Sequence, residues 1–292
     1  MLWRRTAEID IIISAGHAQA LEVQRHERTL SWRHSLPQPG TAALEAGEMT
    51  ALAPLLAEVR TRIGGRFVPI RVILPDPLVR TRVYAFDEIP RSDAALDRLA
   101  AWRLQREYAF EATALSCAAQ RLGQLDSRGL VLAAAIPAAV AAGLEHVFAV
   151  HDLVAAATVP AMLARLDQYG AQLKPASAWL VVERDYWCLC CIDEVGRPRL
   201  LRARWRLAQA KEHAAAEMTA DVERTLQAYA AQADLPALSV LQVSAAAEEL
   251  SELSGWLDRA LSGAWLSFPL ISFPAAGAAA PLGALVRAGR AS

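Results

Sequence analysis

Ala178-Trp179-Leu180-Val181-Val182-Glu183, Trp187-Cys188-Leu189-Cys190-Cys191-Ile192-Asp193 and Pro198-Arg199-Leu200-Leu201-Arg202-Ala203-Arg204-Trp205 are three short apolar or alternating runs, separated by Arg184-Asp185-Tyr186 and Glu194-Val195-Gly196. Runs of this length, punctuated by turn formers, predict an antiparallel meander. A helical pattern follows, Leu207 to Ala233. The first forty residues read the same way: Ile9 to Ser14, Ala18 to Gln24 and Thr29 to Leu36 are strands, with Ser14-Ala15-Gly16-His17 and His26-Glu27-Arg28 as turns. A helix comes next, over about Glu48 to Ile63, stopped by Gly64-Gly65. The chain therefore opens each half with a β-β-β-α unit.

Between the two units the pattern mixes hairpins with strand-helix alternation. Strands are expected at Val68 to Leu74, Leu78 to Phe86, Thr113 to Leu122, Leu130 to Ile136 and Leu153 to Thr158. Helices are expected from Ser92 or Asp93 to Tyr108, over Pro137 to Val150 and over Pro160 to Tyr169. Beyond the second meander a strand at Leu238 to Val243, a helix over Ala246 to Leu261 and a strand near Phe268 to Phe273 are expected. This is an α/β chain built on mixed sheets. Its length of 292 residues is two domains' worth at roughly 150 each.

Charge and composition exclude several classes. With 30 Lys+Arg against 31 Asp+Glu the net charge is -1, so the field of a nucleic-acid binder is missing. Four cysteines, three of them crowded at Cys188, Cys190 and Cys191, make no disulfide framework and point to a reducing, cytoplasmic setting. The uncharged stretch Leu130 to Leu144 falls short of the roughly 20 apolar residues that span a bilayer and reads as a buried strand running into a helix, so no direct membrane insertion is expected.

A duplicated β-β-β-α unit facing its copy across a cleft is the plan of the two-lobed actin-like ATPase, or ribonuclease-H-like, folds. On that plan residues 1–175 form the first lobe, with an inserted subdomain at about 66–125, and residues 176–292 form the second. Arg71-Val72-Ile73-Leu74-Pro75-Asp76, then Thr81-Arg82-Val83-Tyr84, Glu88-Ile89-Pro90 and Trp102-Arg103-Leu104 resemble PilM-type pilus-assembly proteins, to which the secretion protein GspL and the pilus protein MshI are similar. The resemblance implies ATP and Mg held between the lobes by an Asp-x-Gly turn in the first hairpin of each lobe. Here the matched positions are Ile12 and Ser14 in lobe one and Val182 and Arg184 in lobe two. Val240 to Ala245 stands where the family's adenosine-contacting glycines lie. Glycine lets backbone N–H groups approach phosphate and aspartate holds the metal, so all three elements read as degenerate. The expectation is a chain without catalytic residues or cofactor; ATP binding through altered contacts, with Asp10 and Asp185 as carboxylates, is the alternative. A sugar-kinase relative needs the same phosphate glycines and ranks last.

The resemblance also implies a partner: the cytoplasmic tail of a bitopic membrane protein of PilN type, on a platform for type IV pili or a related secretion system, with self-association left open. Arg71, Arg80 and Arg82 flank the Leu74-Pro75 region, and Arg202, Arg204 and Arg206 project from one strand face every second residue. Arg71, Arg80, Arg82, Arg202 and Arg204 are the candidate partner-binding residues, against the plainer reading of a solvated face. The three clustered cysteines read as buried thiols rather than metal ligands, Glu212, His213 and Glu217 as a solvated helix face, and His146, His151 and Asp152 as surface or capping residues.

Overall fold

The computed structural model describes residues 9–14, 16–24, 27–35, 40–108, 114–125, 127–206, 211–232, 238, 240–245, 253 and 271–274. The chain divides into two compact units, Met1–Asp167 and Gln168–Ser292.

In the first unit β1 (Ile9–Ile13), β2 (His17–Gln24) and β3 (Glu27–Ser35) form the expected meander. A short helix α1 (Gly40–Glu45) precedes α2 (Ala53–Ile63). The sequence placed a single helix from Glu48. Instead a 3-10 turn at Thr50–Leu52 leads into α2, which has proline in its first turn; Pro54 has no N–H to donate, so the regular helix begins there. At the other end Gly64 takes the left-handed conformation, φ 59°, that lets the chain leave a helix without a Cβ clash. Leu55, Leu56, Val59 and Ile63 are buried on one stripe of α2, each contributing about 1.5–3 kcal/mol.

Strand β4 (Ile70–Leu74) lies parallel to β1, and β8 (Ala155–Pro160) parallel to β4, giving a sheet of order β3-β2-β1-β4-β8. Between β4 and β8 the chain makes a separate antiparallel sheet from β5 (Arg80–Phe86), β6 (Leu115–Leu125) and β7 (Arg128–Pro137), in the order β5-β7-β6. Helix α3 (Asp93–Tyr108) packs on it through Leu96, Ala100 and Leu104. Helix α4 (Ala138–Val150) follows β7, and α5 (Ala161–Tyr169) follows β8. The inserted sheet thus spans Arg80 to Pro137 rather than about 66–125: β4 pairs with β1 in the main sheet, and β7 is the middle strand of the insert.

The link from β4 to β5 is fixed by Asp76. Its carboxylate Oδ1 accepts the Met162 backbone N–H at 2.8 Å, one of the donors that the start of α5 leaves unpaired, and Arg165 Nη1 stands 3.9 Å from Oδ2. Asp76→Ala is expected to lower stability by about 1–2 kcal/mol, read as a shift of the urea midpoint at unchanged slope; a shift below the error of the fit would remove the cap argument.

The second unit repeats the main sheet. Strands β9 (Ser177–Val182), β10 (Tyr186–Ile192) and β11 (Pro198–Trp205) form the meander, and β12 (Val240–Ala245) and β13 (Ile271–Pro274) run parallel to β9, giving β11-β10-β9-β12-β13. The correspondence with β3-β2-β1-β4-β8 is strand for strand. Helix α6 (Lys211–Ala230) buries Met218, Val222, Leu226 and Tyr229 against Ala178, Leu180 and Val182. The helix expected over Ala246 to Leu261 lies outside the described residues except at Leu253.

Candidate functional site

The two hairpin turns at which phosphates are expected are closed by their own hydrogen bonds. In the first, Ser14 N–H donates to His17 O at 2.9 Å, His17 N–H donates to Ser14 Oγ at 3.2 Å, and the Ser14 hydroxyl donates to His17 O at 2.8 Å. In the second, Glu183 N–H donates to Tyr186 O at 2.8 Å. Arg206 then straps that turn from outside: its N–H donates to Asp185 O at 2.7 Å and its Nη1 to Glu183 O at 2.7 Å. A phosphate nest needs inward-facing N–H groups without partners. Those of Ser14, His17 and Glu183 are taken.

These closing bonds correct the expected equivalences. Ser14 N–H to His17 O matches Glu183 N–H to Tyr186 O, so Ser14 corresponds to Glu183 and Ile13 to Val182. The pairing of Ile12 with Val182, and of Ser14 with Arg184, is out by one residue, and a one-residue slip exchanges the sheet faces. Val182 packs in the core beneath α6, whereas Ile12 shares its face with Asp10. In the corrected register neither turn is Asp-x-Gly: the first holds Gly16 without a carboxylate, the second Glu183 and Asp185 without a glycine.

Asp10 is fully buried and forked by Arg71, its direct neighbour on β4: Nε donates to Oδ1 and Nη2 to Oδ2, both at 2.8 Å. Asp167 on α5 approaches Arg71 Nη1 at 3.7 Å. Burial pulls the Arg71 guanidinium down, but the bonds and charges of Asp10 and Asp167 outweigh it and the net shift is upward. Arg71, expected among the partner-binding surface residues, is only 6% exposed. It neutralises the strand's carboxylate from within.

A cavity of about 490 Å³ opens between β6, β8 and α4. Consecutive residues line it on both strands, Ser116 to Ala118 and Ala157 to Pro160. Ser116 and Ala118 pair across to Ile136 and Ala134 of β7, which also line it, so one face of the inserted sheet meets the cavity and Cys117 reaches it at the rim of β6. Both β6 and β8 are edges: among the described residues β8 pairs only with β4 and β6 only with β7. Ala119 N–H, on the outer side of β6, is capped by Asp97 Oδ1 at 2.8 Å. By the two-residue period the backbone groups of Leu115 and Cys117 point outward too, without a partner among the described residues. The lining is apolar and mostly small, with Glu145 its sole charge. Burial, with the Asp97 charge adding, pushes the Cys117 thiol up to about 12, so it lines the cavity as a neutral group. Sequence reasoning did not find this site; the small residues Ala155, Ala157 and Ala118 on strands β8 and β6 were the signal.

No protein-family model matches the chain, and no curated protein matches it in sequence. Solved structures match it. A PilM-PilN type IV pilus biogenesis complex contains a chain of similar fold, with a TM-score of 0.71 and 17% identity over 92% of this chain and 88% of that one. A Bacteroides thetaiotaomicron protein of unknown function with an actin-like ATPase fold matches with a TM-score of 0.58 and 10% identity, over 91% and 90%. The chain has an actin-like ATPase fold. In this actin-like fold the expected site residues are spread out. Arg80 is exposed and donates from Nη1 to Pro77 O at 3.1 Å, while Arg82 Nε pairs with Glu107 Oε1 at 2.5 Å. On the second unit Arg204 Nη1 and Arg224 Nη2 each reach Asp221 at 2.6 Å, and Arg202 Nη2 stands 3.8 Å from it. Asp221, a buried residue of α6 that sequence reasoning passed over, thus holds the arginine face against the helix. Cys188, Cys190 and Cys191 are buried thiols, and the described residues contain no group of three potential metal ligands. His146, His151 and Asp152 are joined by no hydrogen bond or ion pair among the described residues, and the side chains of Glu212 and His213 lie outside them.

Proposed function

We propose that this actin-like chain is a non-catalytic scaffold of a type IV pilus or related secretion platform at the inner membrane, and that it holds the cytoplasmic tail of a PilN-type partner as an extended segment between β6 and β8. One observation carries the reading: β6 and β8, each an edge strand among the described residues, flank an apolar cavity. An extended peptide satisfies such edges with main-chain hydrogen bonds while its alternate side chains fill the space between them. The likeness to a chain from a PilM-PilN complex supports the choice of partner. The small lining calls for large apolar side chains on the tail, and Glu145 favours a lysine or arginine beside them. No helix among the described residues is long and apolar enough to cross a membrane, so attachment through the partner fits.

The closed turns and the internally neutralised Asp10 support a chain that does not hydrolyse ATP. Two measurements test the proposal. Calorimetric titration with a synthetic peptide of the PilN-type partner's N-terminal tail should give saturable one-to-one binding, and its absence would count decisively against the groove. Melting with millimolar Mg-ATP should leave the midpoint unchanged, whereas a micromolar site would add about 4 kcal/mol and move it by several degrees.

A further inference from the structure

Helix α3 and the edge strand β5 carry a second surface that the groove does not use. Arg82, Tyr84 and Phe86 alternate on one face of β5, and Trp102, Arg103 and Arg106 stand beside them on α3. The Arg103 guanidinium lies over Tyr84, Phe86 and Trp102 at 5.7–6.0 Å from the ring centroids, and that of Arg106 lies over Trp102 at 5.1 Å. Trp102 is 47% exposed, a large aromatic open to solvent. Trp, Tyr and Arg are the residue types that dominate binding energy at protein interfaces.

The charges of this face are unevenly matched. Glu107 is taken by Arg82 and by the Tyr84 hydroxyl, which donates to Oε2 at 2.8 Å. Burial pushes the Glu107 carboxyl up, but these two bonds and the neighbouring arginines pull it below its ordinary range. Arg103 and Arg106 pair with no carboxylate among the described residues, unlike Arg62, Arg71, Arg82, Arg121 and Arg197. A guanidinium stacked on a ring keeps its N–H donors free in the plane and loses little further freedom when it binds.

We propose that this face docks an acidic segment of a protein partner, whose carboxylates bind Arg103 and Arg106 while an apolar side chain covers Trp102. A protein is favoured over nucleic acid because only two guanidiniums on this face are unmatched among the described residues and the chain's net charge is -1.

The test uses the full chain and follows the Trp102 indole resonance by NMR. The probes are a hexapeptide of alternating glutamate and leucine, its lysine counterpart, and a short oligothymidylate. The glutamate probe should shift the resonance, with an affinity that weakens as salt rises and drops at least about tenfold in Arg103→Glu/Arg106→Glu. The same double variant should gain binding of the lysine probe, which a merely structural role would not produce. Arg103 and Arg106 are exposed and give up only surface stacking, so the double variant should stay folded, its melting temperature lowered by no more than a few degrees. Ala157→Phe, which fills the groove, should leave this binding intact, so failure here is separable from failure of the groove. Equal binding of both peptides to the native chain, or undiminished glutamate-probe binding by the double variant, would overturn the proposal. Tighter binding of the oligothymidylate at Trp102 would overturn it in favour of nucleic acid.

Discussion

Asp10→Ala is expected to destabilise the first unit by about 3–5 kcal/mol, the usual consequence of leaving one partner of a buried ion pair uncompensated. Arg71 would then lie beneath the surface with only Asp167, 3.7 Å away, in place of two bonds of 2.8 Å. A loss of that size is a large part of what keeps a domain folded. The pair itself contributes little relative to an apolar replacement. Asp10→Ala combined with Arg71→Met should therefore recover most of the loss. Urea denaturation of the single and double variants measures both. A single-variant loss below about 1 kcal/mol would show that Arg71 finds other partners and that the pair is not what neutralises the strand. The functional content is that the carboxylate nearest the first turn is already committed. A magnesium ion would have to displace an arginine held in bidentate geometry.

The second large effect is on partner binding. Ala157 lines the cavity from β8 and is half-buried, so a phenylalanine there takes up cavity space. Ala157→Phe should weaken binding of the partner tail by at least about 100-fold, or 2.7 kcal/mol, comparable with excluding one or two large side chains from the site. Filling a cavity tends to stabilise, so the melting temperature should hold or rise. Ala118→Phe, entering from β6, should act in the same direction. Undiminished tail binding in both variants, with both folded, would remove the groove from the proposal even if the tail binds elsewhere on the chain.

The order of elements was legible because period-2 and period-3.6 patterns reflect burial on one face, and that burial is local in sequence. The strand Pro198 to Trp205 and the helix up to Tyr108 end where the sequence reading placed them. The 3-10 turn before α2 and the extent of the insert were less legible. One depends on where a proline removes a donor, the other on which strand β7 pairs with. The site was harder. Arg71 read as a surface arginine because a bidentate partner sixty-one positions away leaves no mark in sequence. Arg202 and Arg204 do alternate as expected, yet what they face, Asp221, became visible only when α6 lay beside β11. The missing Asp-x-Gly turns were visible in the residues, but the register that aligns the two hairpins was not; it is set by backbone bonds that any residue can make.

By itself the sequence determined the duplicated β-β-β-α plan, the absence of an Asp-x-Gly turn and the near-neutral charge, because each is a property of residue type and spacing along one stretch of chain. Only the tertiary structure decided that Asp10 is neutralised by Arg71 and that β6 and β8, each an edge strand among the described residues, flank an apolar cavity. It also decided that Arg103 and Arg106 stack on rings without a carboxylate partner among the described residues. Those are relations between segments far apart in the chain, and pairing energy and burial depend on distance in space, which composition and periodicity do not encode.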